Sequence, residues 1–132
     1  MTTEMTTRVH AFGDDALGDL DTVGVAAAIA SGAISAREAT EAAVRRAERV
    51  NPVLNAIQHS DFDRGLAASE RSAEGVFAGV PTFLKDNTDF AGLPSDQGSL
   101  AVKSRPAAAN SPFTDQFLYE LEAAQPFDKI QG

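Results

Sequence analysis

No cysteine occurs anywhere in the 132 residues. That absence removes disulfides, thiol nucleophiles and cysteine-based zinc sites together. Tryptophan is missing too, tyrosine occurs once and histidine twice. Positive charge is short: 11 Lys and Arg stand against 19 Asp and Glu, a formal net charge of −8. A chain of that sign repels phosphate backbones, so nucleic acid is not an expected partner. No stretch approaches the eighteen or so apolar residues of a membrane span. The start, residues 1–21, is polar and acidic, with neither the basic nor the apolar region of a secretory signal. No membrane partner is expected, and the expected location is cytoplasmic. Two distant histidines and scattered carboxylates have no ligand spacing, so neither a metal nor a cofactor is expected.

Large apolar side chains are scarce as well. Apolar residues make up 43% of the chain, but alanine supplies much of that, and Leu, Ile, Val and Phe together reach only about a quarter. A core built on alanine buries little area per residue. At about 25 cal/mol per Å² the margin over chain entropy is slim. The length suggests one domain at most, and the composition predicts a marginal folder.

What is present centres on residues 79–99. Gly79 opens a turn, and Val80 to Leu84 form a short apolar run with Pro81 near its start. A run of this length bounded by glycine and proline reads as a buried strand. Lys85 closes it, followed by Asp86 and Asn87, and Gly92, Pro94 and Gly98 mark the return as a loop. A lysine at the end of a buried strand has two readings. It can snorkel to water past the strand end. Held in an apolar site, it can instead lose its proton and act as a base near pH 7. Asp86 need not pair with it, since successive side chains of a strand point to opposite faces.

The remaining elements are read from caps and periods. Residues 1–17 have no period and read as a frayed leader, with His10 alone in it. Asp21 is a good N-cap for a first helix carrying Val25, Ala26, Ile29 and Ala30 on one face, and Gly32 is its stop. Ser35 and Glu38 form a capping-box pattern opening a second helix, which Pro52 is expected to end at Asn51. Leu54 to His59 reads as a short strand, and His59 as a surface histidine. Residues 61–74 read as a third helix ended by Gly75. Ser111-Pro112 starts a fourth helix, predicted to reach Ala123, with Phe113, Phe117, Leu118 and Leu121 on one side.

Gly79-Val80-Pro81, Lys85-Asp86-Asn87, Gly92 and Gly98-Ser99 together resemble the amidase signature family of serine amide hydrolases. The likeness runs from about Asp19 to about Ala124. It implies an α/β fold, the N-terminal part of a mixed sheet flanked by helices. It implies a small-molecule amide as substrate and Lys85 as the catalytic general base of a Ser-Ser-Lys relay. In that relay the lysine takes a proton from a bridging serine, which deprotonates the nucleophilic serine, while backbone amides form the oxyanion hole. Ser95-Asp96-Gln97 departs from the Thr-Thr-x more usual before Gly-Ser.

Past Ala124 the family continues into an apolar strand and Gly-Lys-Thr-Asn. Here the sequence reads Gln125-Pro126-Phe127 and reaches Gly132. The resulting organisation is a flexible leader over 1–18, a truncated amidase domain over 19–124 and a divergent tail over 125–132. The resemblance places both serines beyond Gly132, so the 132-residue chain is expected to be inactive alone. Ser99 is not expected to replace them, because no Gly-x-Ser-x-Gly elbow surrounds it. A phosphate-binding loop is excluded because Gly-x-x-x-x-Gly-Lys-Ser/Thr is absent. The alternative to an enzyme fragment is a non-catalytic relic or interaction module, in which unpaired strand edges invite self-association.

Overall fold

The computed structural model describes residues 8–122. Residues 1–7 of the leader, the expected helix end at Ala123 and the tail at 125–132 lie outside the described residues. Four helices form among them: α1 (Thr22–Ala30), α2 (Ala36–Leu54), α3 (Phe62–Ser69) and α4 (Pro112–Glu122).

The helix starts obey local chemistry. Asp21 Oδ1 accepts from Gly24 N at 2.8 Å and opens α1. Gly32 follows at φ +75°, a backbone state that glycine adopts without steric penalty. At α2 the capping box is complete: Ser35 Oγ accepts from Glu38 N at 3.1 Å, and Ser35 N donates to the Glu38 carboxylate at 2.8 Å. At α4, Ser111 Oγ accepts from Thr114 N at 3.1 Å, with Pro112 as first helical residue.

The ends differ from expectation. Helix α2 does not stop at Asn51. It runs through Pro52 to Leu54, and Asn55 closes it in the left-handed conformation, its N–H donating to Asn51 O at 2.7 Å. A proline this late removes one intrahelical bond, and the loss is offset next door. Asn51 Oδ1 accepts from both Ala56 N and Ile57 N at 2.9 Å, satisfying two donors beyond the helix. Helix α3 ends at Ser69 rather than near Glu74, where Ser69 Oγ donates to Leu66 O at 2.6 Å. A side chain that bonds the backbone locally competes with helix continuation.

The mixed sheet is not formed among the described residues. Neither Leu54–His59 nor Val80–Leu84 is a strand, and the only β-pairing there consists of the isolated bridges Ala91–Ala107 and Pro94–Pro106. A strand exists only where a neighbour takes its N–H and C=O groups, and no described segment runs beside 80–84 to do so.

The core is small and alanine-rich. Val25, Ala26, Ala39, Ala42 and Ala47 are its buried apolar members, and α2 packs on α3 with Gly65 facing Thr40. Large apolar residues stay outside: Phe83 is 62% exposed.

Residues 11–18 are fastened to α2. Arg46 grips Asp15 through Nε–Oδ2 at 2.7 Å and Nη2–Oδ1 at 2.6 Å, and also donates to Gly13 O and Gly18 O. Both charged side chains are mostly buried, at 12% and 15% exposure. The hydrogen bond from Arg46 holds the Asp15 carboxyl below the usual carboxylate range, against the opposing effect of burial. A folded-state pKa below the unfolded one gives stability that is complete above the unfolded value and lost as pH falls through the folded one. Asp15→Asn should therefore cost about 2 kcal/mol at pH 7, the scale of hydrogen bonds to a charged group. The gap between variant and parent should narrow once pH falls below the ordinary aspartate value and close as it falls through the lowered folded one, as read by urea unfolding from pH 7 downward.

Candidate active site

Residues 79–99 form a looped platform that starts at the first turn of α2 and reaches its last turns. Gly79 sits at φ +79° with its Cα facing the first turn of α2, so close that a Cβ there would lie 2.6 Å from Ala36 Cβ. Turns at Ala78 N to Gly75 O and Val80 N to Phe77 O lead into the apolar run.

Lys85 follows that run but does not sit at a buried strand end. It is exposed and lines a cleft of about 790 Å³, walled on one side by Val50 and Leu54 of α2 and on the other by Phe83, Phe90 and Leu93. No side-chain hydrogen bond or ion pair engages Lys85 among the described residues, and its carbonyl accepts from Thr88 N at 3.1 Å.

Asp86 turns away from the lysine and closes the loop. Its carbonyl accepts from Gln97 N at 3.0 Å, Oδ1 from Asp96 N at 2.9 Å, and Oδ2 from Gly98 N at 3.3 Å. Gln97 and Gly98 both have positive φ, 53° and 67°, as so tight a return requires. The far half of the loop is pinned by Gly92 N to Ala107 O and Ala107 N to Leu93 O, each 2.9 Å. Thr114 of α4, fully buried, donates to Asp89 O at 2.6 Å.

His59 is not a lone surface histidine. Its Nε2 lies 2.8 Å from Asp96 Oδ2, and Asp96 is only 7% exposed. Burial works against the Asp96 charge, but the His59 contact and the nearby polar side chains of Ser104 and Gln58 outweigh it and hold the carboxyl below the ordinary aspartate value. Thirty-seven residues separate the pair, so no local spacing announced it. Ser99 Oγ accepts from Ala101 N at 3.2 Å, a turn contact with no base beside it. No cluster of three or more potential metal ligands forms among the described residues.

The amidase family's sequence profile matches residues 38–120, more than half of the chain and all of the Lys85 platform. The chain belongs to the amidase family. Over 109 residues it is 52% identical to a Mycobacterium tuberculosis protein named "Putative amidase AmiC", which covers 81% of this chain and 23% of that protein. It is 40% identical over 98 residues to the indoleacetamide hydrolase of Bradyrhizobium diazoefficiens, covering 68% and 19%. It is 34% identical over 100 residues to an acylamidase of Rhodococcus erythropolis, covering 70% and 21%. The chain thus spans about a fifth of the length of these amidase relatives. Among its described residues no helix is long and apolar enough to cross a membrane.

Proposed function

We propose that this chain is the lysine-bearing part of an amidase that hydrolyses the C–N bond of small carboxamides, with Lys85 as general base. The observation that carries the reading is the placement of Lys85: it opens into an apolar cleft, and no anion among the described residues competes for its amine. A cleft of this size falls within the range of small-molecule sites, roughly 300–1,000 Å³. A lysine amine is a chemically competent general base toward a hydroxyl. The resemblance supplies the rest of the route. The proton leaves a bridging serine, that serine deprotonates the nucleophile, and water completes hydrolysis to carboxylate and amine or ammonia. Residues 19–124 are read as the amidase portion, and the unpaired 80–84 segment as one strand of a sheet that other polypeptide completes.

The 132-residue chain alone has no turnover in this reading, because a base accelerates nothing without an activated nucleophile and aimed oxyanion donors. Incubating the purified chain with a chromogenic amide tests this. Wild type and Lys85→Ala should both match the buffer rate, and Lys85-dependent turnover would contradict the reading.

A non-catalytic association module is the second reading, favoured by the exposure of Phe83, Val53 and Leu54, at 62%, 70% and 54%. Large apolar side chains left this exposed promote association where they cluster. Sedimentation separates the cases: a well-folded, stable oligomer supports the module, and a monomer removes its supporting observation.

A further inference from the structure

We propose that His59 and Asp96 are positioning residues for Lys85, a clasp that ties the lysine-bearing loop to the end of α2. The inference rests on the reading of Lys85 as the base. The lysine side chain has no partner of its own among the described residues, so the backbone that carries it decides where its amine points. That backbone is fixed through the next residue. Asp86 holds the amides of Asp96, Gln97 and Gly98 and closes the loop on itself. The middle of the loop is tied to Ala107 and to Thr114 of α4, and Asp96 ties its closing end to the segment after α2, reaching His59 Nε2 at 2.8 Å.

The other end of the tether is rigid. His59 comes just after Ala56 and Ile57, whose amides both donate to Asn51 Oδ1 in the last turn of α2. The path therefore runs from α2 through Asn51 to His59, then through Asp96 and Asp86 to Lys85. Each step is a hydrogen bond or a short covalent link. Burial strengthens the step in the middle: a carboxylate as enclosed as Asp96 has few waters to replace a lost partner. Neither side chain is assigned a contact with the reacting amide. Both act through the loop.

Amide hydrogen exchange by NMR on the full 132-residue chain tests the clasp. The variants are His59→Ala, Asp96→Ala, the double variant and His59→Gln. Each alanine variant should speed exchange about tenfold at Gln97 and Gly98, which bond to Asp86, and at Thr88, which bonds to Lys85. Amides inside α2, from Ala42 to Arg46, should keep their parent rates. The double variant should be no faster than either single one. The amide group of His59→Gln can donate to the same carboxylate, so it should restore most of the protection at Gln97, Gly98 and Thr88. Unchanged loop exchange in the single variants overturns the proposal. So does additive acceleration in the double variant, or equal acceleration throughout α2. If Asp96→Ala unfolds, His59→Ala against His59→Gln carries the same comparison. No amide turnover enters the readout, so failure of the clasp is distinguishable from failure of Lys85 as base.

Discussion

Lys85→Ala is expected to lower amide hydrolysis by about a thousandfold in a hybrid enzyme. In that hybrid the matching 109 residues of the mycobacterial relative are replaced by their counterparts from this chain. General-base catalysis contributes typically 10² to 10⁴, and a thousandfold loss corresponds to about 4 kcal/mol of barrier. The loss should fall on kcat with KM little changed, because the amine acts on a developing bond and not on bound substrate. Lys85→Arg separates a base from a mere cation. Arginine keeps the charge and much of the length but does not deprotonate in proteins, so it should be nearly as inactive as alanine. An arginine variant with most of the parent rate would make Lys85 an electrostatic residue.

Gly79→Ala is the largest stability effect expected in the described region. Two independent penalties meet there. The backbone sits at φ +79°, which costs a non-glycine residue roughly 1–2 kcal/mol. The new Cβ would also lie 2.6 Å from Ala36 Cβ. That atom belongs to the first turn of α2 and cannot swing aside as a flexible side chain would, so the helix start or residue 79 must shift. Overpacking of this kind adds about 1–3 kcal/mol. The sum is about 2–5 kcal/mol, a large fraction of an ordinary domain's margin and more of this one's, given its alanine core. Gly32→Ala is the control, since Gly32 has φ +75° and no atom within 4 Å of a built Cβ. Urea midpoints should drop modestly for Gly32→Ala and much further for Gly79→Ala. Equal drops would mean that the close approach to α2 contributes nothing.

The helices were legible because their signals are local. Asp21, the Ser35 and Glu38 pair, and Ser111-Pro112 each act within four residues, and each start stands where the sequence put it. Pro52 misled because its penalty near a helix end depends on its neighbours. Asn51 and Asn55 absorb that penalty through contacts that a rule about proline alone does not include. The strands were illegible for a different reason. An apolar run bounded by glycine records a preference for burial, but a strand also requires a partner, and none of the described segments pairs with residues 80–84. The same lack of a partner leaves Phe83 exposed and Lys85 in an open cleft.

The motif singles out Lys85 in the sequence. The surroundings of Lys85 were not legible there. Asp86 was correctly free of the lysine, yet nothing in an extended reading suggested that it would gather three amides from ten to twelve residues onward. The His59–Asp96 contact joins segments 37 residues apart, and only the closed loop brings them together. The cue in retrospect was the carboxylate at Asp96, an acidic residue where the family pattern has a neutral one. A charge placed in a tight turn needs a partner.

The most direct test of Lys85 as the base is chemical rescue. The Lys85→Ala hybrid would be assayed with added primary amines of graded basicity. If Lys85 takes the proton, small amines entering the vacated space should restore turnover in proportion to their concentration, with a rate that tracks their basicity. A hybrid that hydrolyses amides at the parent rate without Lys85, and gains nothing from added amine, would contradict the account.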